Sequence, residues 1–279
     1  MPDNTTPLEL AKSGDINAFH QLFSPFQKEL KAFIYRIVTD RSDAEDLTHD
    51  VFVKAFDKVG TFHDKSSLKT WVFTIASNMC IDFLRGRKRW ESDNQDRSRE
   101  YAESSMDVRE AFINTNKYGA HGTFEIKEHI DFCFTCISKT LPIEQQIALI
   151  LKDIYDFTLK EICEILNQSP GVVKHYLHDS RKTMTITFDH RCALVSKKGV
   201  CHQCSQLNGY FNPKQDAQYE LMKLDLVKNV ENRDKEKLYQ LRTELIKQID
   251  PLNSEGSDLH EIFMQLTRKV EGEIDEIDY

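Results

Sequence analysis

The sequence lacks any apolar run long enough to cross a membrane, and it does not begin with the charged and then apolar segment of an export leader. It also lacks an internal repeat. Of the residue patterns typical of enzyme sites, no Ser/His/Asp set, carboxylate pair or glycine-rich phosphate loop stands out. We therefore expect a non-enzymatic, cytoplasmic protein without membrane insertion.

The excess of acidic residues is concentrated in one part of the chain. The formal net charge is −8, and residues 216–279 hold sixteen Asp and Glu against nine Lys and Arg, a balance of −7. The first 215 residues are therefore close to neutral, and local basic patches there can still bind phosphates. Helical spacing of apolar residues predicts an acidic, amphipathic C-terminal extension. Its apolar positions are Leu221, Leu224, Leu226, Val227, Val230, Leu238, Leu241, Leu245, Ile249, Leu259, Ile262, Phe263, Leu266 and Val270.

Residues 43–56 follow the pattern of a helix with one acidic face. Apolar residues recur at spacings of three and four, which predicts a buried stripe of Ala44, Leu47, Val51 and Ala55. The side chains off this stripe are Asp43, Asp46, His49 and Asp50. One face of this helix is therefore predicted to be acidic and exposed to water.

A second helical pattern follows at residues 70–89 and differs in its polar face. Asn78, Asp82, Arg85 and Arg89 are spaced by four, three and four residues, which predicts one row on the side opposite the apolar face. The pattern ends in a basic run of Arg85, Arg87, Lys88 and Arg89. Two neighbouring helices with such different polar faces indicate two different binding partners.

Residues 141–182 have the spacing of a helix-turn-helix. Thr158 and Glu161 form a capping box at the start of the first helix, and Ser169 and Pro170 begin the second. The second helix carries the basic side chains Lys174, His175, His178, Arg181 and Lys182. This pattern predicts a helix that enters the major groove of DNA, and a small bundle with a solvated basic face is the alternative.

Both stretches resemble conserved regions of bacterial sigma factors, in particular the extracytoplasmic-function (ECF) group. The first match comprises Asp43 to Leu47, Val51, Phe52, Lys54 to Phe56, Phe62, Ser66 to Leu68, Thr70, Trp71, Ile75, Ala76, Asn78, Asp82, Leu84 and Arg85. The second comprises Leu141, Pro142, Gln145, Ala148, Leu149, Glu161, Ile162, Leu166, Val173, Lys174, Leu177, His178 and Arg181. The resemblance covers residues 8–90 and 128–186, and the chain departs from the family pattern at Gly86, Val172 and Asp179.

The resemblance implies a subunit of bacterial RNA polymerase that directs promoter recognition and opening. It implies core-polymerase binding by Asp43, Asp46, His49 and Asp50. For the minus-ten element and its phosphates it implies Phe62, Lys69, Trp71, Asn78, Asp82, Arg85, Arg87, Lys88 and Arg89. For the minus-thirty-five element it implies Ser169, Lys174, His175, His178, Arg181 and Lys182. The expected partners are the polymerase core and promoter DNA, and an anti-sigma protein would be a further one.

A cysteine cluster follows the helix-turn-helix. Cys201 and Cys204 have the spacing of a zinc knuckle, and Cys192 is close enough in sequence to join them. His190 is the first candidate for the fourth ligand, and His202, Cys133 and Cys136 are others. The pattern predicts a structural zinc site, with a thiol redox switch and plain reduced cysteines as the alternatives.

Together these patterns predict an all-α protein of two small helical domains, joined by a flexible linker and followed by a helical extension. The predicted domains are residues 1–92 and 124–188, the linker is 93–123, and the extension with its cysteine cluster is 189–279. The linker is predicted from its polar composition. Two rival functions are a helix-turn-helix regulator, which leaves the first domain unexplained, and a metal- or redox-sensing interaction protein.

Overall fold

The computed structural model describes residues 6–63, 66–118, 126–191, 235–254 and 256–277. All regular elements in these ranges are helices, which confirms the all-α prediction. They are α1 (Pro7–Lys12), α2 (Ile16–Val38), α3 (Arg41–Lys58), a 3-10 turn (Val59–Thr61), α4 (Leu68–Leu84), α5 (Asn94–Ser104), α6 (Met106–Tyr118), α7 (Ile126–Ser138), α8 (Ile143–Asp153), α9 (Leu159–Leu166), α10 (Pro170–Arg191), α11 (Lys235–Ile246) and α12 (Ser257–Val270). None of these helices has the length and apolar character needed to span a membrane.

The helices form two compact units that each combine distant parts of the chain. The first unit comprises Met1–Arg87 and Ile147–Leu177, and the second comprises Lys88–Gln146 and His178–Tyr279. Compact packing and independent folding are different properties, so the predicted domain boundaries at residues 92, 123 and 188 remain predictions.

Helices α2, α3 and α4 form the core of the first unit. Asp15 caps the N-terminus of α2, which continues through Pro25 to Val38. The ring of Phe52 on α3 lies 5.3 Å from that of Phe19 and 5.1 Å from that of Phe23, both on α2. These aromatic contacts fix how the acidic helix α3 lies against α2.

Helix α9 packs against α4 within the same unit. The hydroxyl of Thr70 donates a hydrogen bond to Glu161 over 3.1 Å, and the ring centroids of Phe73 and Phe157 are 4.9 Å apart. Burial alone would raise the pKa of Glu161, but hydrogen bonds from Thr158 and Thr70 hold it below its usual value. The Glu161 carboxylate therefore caps α9 and ties it to α4.

The second unit contains helices where the polar composition had predicted an irregular linker. Residues 94–118 form α5 and α6. Helix α5 buries mainly small polar side chains, and the hydroxyl of Ser98 donates to the carbonyl of Asn94 over 2.7 Å. Because its contact face is polar, the apolar periodicity that signals a helix is missing from its sequence.

Helix α12 lies against α5, α6 and α7 in the second unit. The ring of Phe263 lies 4.6 Å from that of Phe112 on α6 and 5.3 Å from that of Phe132 on α7. Four of the predicted apolar positions of the extension are buried on this helix: Leu259, Ile262, Phe263 and Leu266. The predicted positions from Leu221 to Val230 lie outside the described residues. The amphipathic prediction is confirmed here, and the helix packs against its own chain.

Replacing Phe263 with alanine should lower the free energy of unfolding by about 3–5 kcal/mol, because it removes a buried ring from a three-helix contact. Denaturant titration followed by circular dichroism would measure the change. The matched control is Ile186→Ala, since Ile186 is 53% exposed and its truncation should cost little. Equal effects of the two substitutions would contradict the packing described for α12.

Candidate polymerase and nucleic-acid interfaces

The predicted acidic face of α3 is present and reaches solvent. Asp40 caps the helix by accepting a hydrogen bond from the backbone N–H of Asp43 over 2.8 Å. The predicted stripe Ala44, Leu47, Val51 and Ala55 is buried. On the opposite side Asp46, His49 and Asp50 are exposed and Asp43 is half-buried. The structure thus places the four predicted core-binding side chains on the outer side of one helix.

A groove of about 380 Å³ lies beside this acidic face, between α2 and α3. Lys31 and Glu45 form an ion pair at the groove. Its lining residues are His20, Gln27, Lys31, Glu45, Thr48, His49 and Phe52. Among these lining residues, only His49 was predicted to bind the polymerase core. The spacing of Glu45, Thr48 and Phe52 by three and four residues was the available signal for a shared helix face.

Helix α4 presents part of the predicted amide-and-arginine row. Ser67 caps this helix, accepting a hydrogen bond from the backbone N–H of Thr70 over 3.0 Å. Asn78, Asp82 and Arg85 are exposed, and Arg85 forms an ion pair with Asp82 at 2.7 Å. The Asn78 amide can both donate and accept hydrogen bonds, as a base edge requires.

The structure corrects the position predicted for Arg89, which does not continue the row. Helix α4 ends at Leu84, and Gly86 adopts a φ of +82°, so the backbone turns before Arg89. Arg89 lies in the second unit, where its Nε donates to the carbonyl of Leu141 over 2.6 Å and its Nη2 to Gln146. Burial lowers the pKa of Arg89 to about 10. In this conformation Arg89 therefore stabilises the turn before α8.

The other basic residues of this run remain at the surface. Arg87 is exposed, and its guanidinium lies 4.3 Å from the ring centroid of Phe83. Lys88 is exposed and forms an ion pair with Glu91 at 2.5 Å. Exposed charges in such pairs are held weakly, so both can exchange their partner for a phosphate.

Three other residues predicted to contact the minus-ten element, Phe62, Lys69 and Trp71, are less exposed than Arg87 and Lys88. Phe62 is buried, its ring 5.4 Å from that of Trp71 and under the ammonium of Lys12 at 5.6 Å. Lys69 is half-buried and forms an ion pair with Glu29 at 2.5 Å. Phe62 therefore packs against Trp71 in this conformation. A base could contact the Phe62 ring only if that ring became exposed.

Helices α9 and α10 have the geometry of the predicted helix-turn-helix. Asn167 ends α9 in the left-handed conformation, with a φ of 49°, and the hydroxyl of Ser169 accepts a hydrogen bond from the N–H of Val172 over 3.4 Å. The predicted DNA-binding residues on and before α10 are all exposed: Ser169, Lys174, His175, His178, Arg181 and Lys182. The basic side of α10 is thus available along one continuous helix.

Most of the predicted zinc ligands lie outside the described residues, namely Cys192, Cys201, Cys204 and the alternative His202. His190 is described and is exposed in the last turn of α10. Cys136 is buried within α7, and burial raises the pKa of its thiol. Among the described residues no group of three His, Cys, Asp or Glu side chains could hold a metal ion. The zinc site stays a prediction.

Comparison with known proteins assigns the same two stretches to one family. The family model for Sigma-70 region 2 matches residues 22–90, and that for Sigma-70 region 4 matches residues 132–184. The chain is 25% identical over 181 residues to the ECF RNA polymerase sigma factor SigW of Bacillus subtilis, covering 63% of this chain and 92% of SigW. It is 25% identical over 168 residues to SigX of the same organism, covering 60% and 81%.

Among solved structures, the chain is similar to the sigma factor RpoE in complex with the anti-sigma factor NepR from Bartonella quintana. The sequence identity is 22% and the TM-score is 0.43, with 61% of this chain and 96% of that chain covered. Residues 185–279 of this chain lie outside both family-model ranges.

The positions of Arg87 and Arg89 predict different effects of their removal. Arg87→Ala should reduce the log–log salt slope of DNA binding by about one unit, since an exposed phosphate contact is lost. Arg89→Ala should lower thermal stability and leave the slope unchanged. Fluorescence anisotropy with duplex DNA at several salt concentrations, with a melting curve for each variant, would measure both. A log–log salt slope that is smaller for Arg89→Ala than for the wild type would instead place Arg89 among the phosphate contacts.

Proposed function

This chain is an ECF sigma factor of the sigma-70 family, and we propose that its surfaces divide the work of initiation between polymerase binding and promoter reading. It binds core RNA polymerase and directs promoter recognition and transcription initiation. The observation that carries the division is the contrast between neighbouring helices: α3 exposes acidic side chains, whereas α4 exposes an amide followed by arginine. A regulator with a helix-turn-helix alone would give α3 and α4 no role.

Helix α3 is proposed to dock on the polymerase core. Asp46, His49 and Asp50 are exposed on a rigid helix whose other side is fixed by packing. Complementary charge steers two proteins together and fixes their register. The groove beside His49 adds the half-buried ring of Phe52, an apolar contact next to the charges. We propose that this acidic face and the groove together form the core-binding surface.

Helix α4 is proposed to read the minus-ten element. A base taken out of the stack exposes its hydrogen-bonding edge, and the exposed amide of Asn78 matches such an edge. Arg85 and Arg87 lie beyond it at the end of the helix and would bind the adjacent phosphates, which position the strand without specifying its sequence. Phe62 would act by supporting Trp71 beneath the bound strand.

Helix α10 is proposed to enter the major groove at the minus-thirty-five element. Its exposed Lys174, His175 and Arg181 supply donors for base edges and phosphates, and Ser169 stands at the helix N-terminus. This activity requires binding alone, so we propose that the chain catalyses no reaction of its own. We propose that it acts in the cytoplasm with the polymerase, and an anti-sigma protein would be a further partner.

The two surfaces can be separated by run-off transcription with purified bacterial core polymerase on genomic fragments. Asn78→Ala should reduce transcription by about tenfold or more, as the loss of a bidentate base contact does, and leave core binding unchanged. Asp46→Arg should abolish core binding, because it places the wrong charge at the interface. Core binding is measured by co-elution with the polymerase.

The matched control for Asp46→Arg is Glu110→Arg, a charge reversal at an exposed position on α6. It should leave both core binding and transcription near the wild-type level. Equal loss of core binding in the two reversals would indicate a general charge effect. Normal transcription by Asn78→Ala would remove Asn78 from base reading.

The cysteine cluster is proposed to bind one structural zinc ion through Cys192, Cys201, Cys204 and His190. Such a site would contribute folding free energy to the chain that follows α10, because thiolate sites rarely form before the metal binds. Protein purified without chelator should contain about one zinc per chain, and the Cys201→Ser/Cys204→Ser variant should contain almost none. If the wild-type protein contained no zinc and the double variant transcribed normally, these cysteines would be reduced thiols without a role.

A further inference from the structure

The exposed side of α4 carries three residues of the proposed minus-ten surface in one row. Trp71, Asn78 and Arg85 are spaced by seven residues, which is close to two helical turns, so they lie on the same side of the helix. Asn78 and Arg85 are exposed, and Trp71 is half-buried. The row is about 21 Å long by the helical rise, which is enough for several nucleotides of a single strand. A strand that follows the row meets an arginine at one end and Trp71 at the other.

Lys69, the cation that the resemblance implies at the Trp71 end of the row, is held by other groups. Its ammonium forms an ion pair with Glu29 at 2.5 Å and lies 5.0 Å from the ring centroid of Phe157. Binding a phosphate would separate this half-buried cation from its carboxylate partner and leave that carboxylate uncompensated. Lys69 is therefore poorly placed to hold the strand at this end.

A different cation lies at the Trp71 end of the row, on the N-terminal helix α1. The ammonium of Lys12 is 5.6 Å from the ring centroid of Phe62, and the Phe62 ring is 5.4 Å from that of Trp71. Lys12 therefore lies over the aromatic pair at which the row on α4 begins. Helix α1 precedes the residues that the Sigma-70 region 2 model matches, and none of the DNA-binding residues implied by the resemblance lies on it.

The backbone of α1 is fixed on the first unit. Thr6 and Glu9 form a capping box at its start, in which the backbone N–H of Thr6 donates to the Glu9 carboxylate over 2.7 Å. Ala11 is fully buried, and the helix packs against α2 and against the 3-10 turn that leads to Phe62. Lys12 thus projects from a defined position, and only its side chain has to move in order to reach a bound strand.

The contact of Lys12 with Phe62 is one that a phosphate can replace. A cation over an aromatic ring at a partly exposed site is held weakly, whereas a charge-assisted hydrogen bond to a phosphate is strong. The lysine side chain is flexible, so its ammonium can turn to a phosphate while its methylene groups remain on the Phe62 ring. The exchange of partner therefore leaves Phe62 packed against Trp71.

From this geometry we propose that Lys12 is a further promoter contact: its ammonium binds a backbone phosphate of the unpaired minus-ten strand at the Trp71 end of the row. The proposal rests on the sigma function described above and adds α1 to the DNA-binding surface. Lys12 and Arg85 then hold the strand at both ends of the row, and the bases between them are presented to Asn78. Lys12 positions the strand and reads no base, as phosphate contacts do.

The test uses holoenzyme assembled from core polymerase and the full-length chain, with the genomic fragment that gives the strongest run-off product. Lys12→Met keeps a side chain of similar length over Phe62 and removes the charge, whereas Lys12→Arg keeps the charge. The log–log salt slope of promoter binding should fall by about 0.7 for Lys12→Met, as expected for one phosphate of a single strand, and stay at the wild-type value for Lys12→Arg. The matched control is Lys28→Met, at an exposed position on α2, which should leave the slope unchanged.

Neutral phosphate analogues locate the contact on the DNA. Methylphosphonates placed singly along the unpaired minus-ten strand remove its charges one at a time. At the phosphate that Lys12 binds, the analogue should weaken wild-type binding by about tenfold. The same analogue should have little further effect on Lys12→Met, because the two changes remove one and the same interaction. At every other position the two proteins should respond equally, and a melting curve for each variant checks its fold.

The outcomes separate this contact from a structural role and from the proposed function. A wild-type salt slope for Lys12→Met, with no phosphate position that distinguishes the two proteins, would overturn the proposal and leave Lys12 as a cover for Phe62. Equal losses of binding for Lys12→Met and Lys12→Arg, with a lower melting temperature in both, would also make its role structural. If wild-type holoenzyme transcribed no genomic fragment, the sigma function itself would be overturned, and this contact with it.

Discussion

The burial of Phe73 is the contact on which the first unit depends. Its ring lies 5.1 Å from that of Phe33 on α2 and 4.9 Å from that of Phe157 before α9. One side chain of α4 thus joins segments that are far apart in sequence. Because this inward side is fixed by aromatic packing, the outward side can carry Asn78 and Arg85 without needing them for stability. Rigid support of this kind is what a base-reading surface requires.

Tyr155 extends the same contact with a polar group. Its hydroxyl accepts a hydrogen bond of 2.6 Å from Arg36, and its ring lies 6.0 Å from that of Phe33. Arg36 is almost fully buried, so the hydrogen bond matters because a buried donor without a partner is costly. The aromatic cluster therefore combines apolar area with a specific polar pairing, and that pairing favours one arrangement of α2 and the chain before α9.

Local patterns in the sequence were sufficient for much of the fold. The stripe of α3 and the capping box at Thr158 follow from spacing over a few residues, and both are present. The exposed side of α10 follows in the same way. What these features share is that one helix and its immediate neighbours determine them, and periodicity reports this level of structure directly.

Features that depend on distant residues could not be predicted in this way. Arg89 fits the row on α4 by its spacing, yet the turn at Gly86 places it against Leu141 and Gln146. Helix α5 lacked a clear apolar pattern because it buries polar side chains, and its partner α12 is far along the chain, where no local spacing could indicate the contact. The hydrogen bond from the indole of Trp90 to Glu273 had no local signal, since a single glutamate in an acidic tail resembles its neighbours.

The contact of α9 with α4 has a consequence for dividing this protein into fragments. A fragment that ends near residue 92 keeps Phe73 but loses Phe157, which covers one side of its ring. The complementary fragment keeps Phe157 and loses Phe73. Each fragment would expose to water an aromatic surface that is buried in the intact chain, and exposed surfaces of that kind promote aggregation. Low solubility of a separate region would therefore reflect the loss of this core contact. Co-expression of both fragments would allow the contact to form between them.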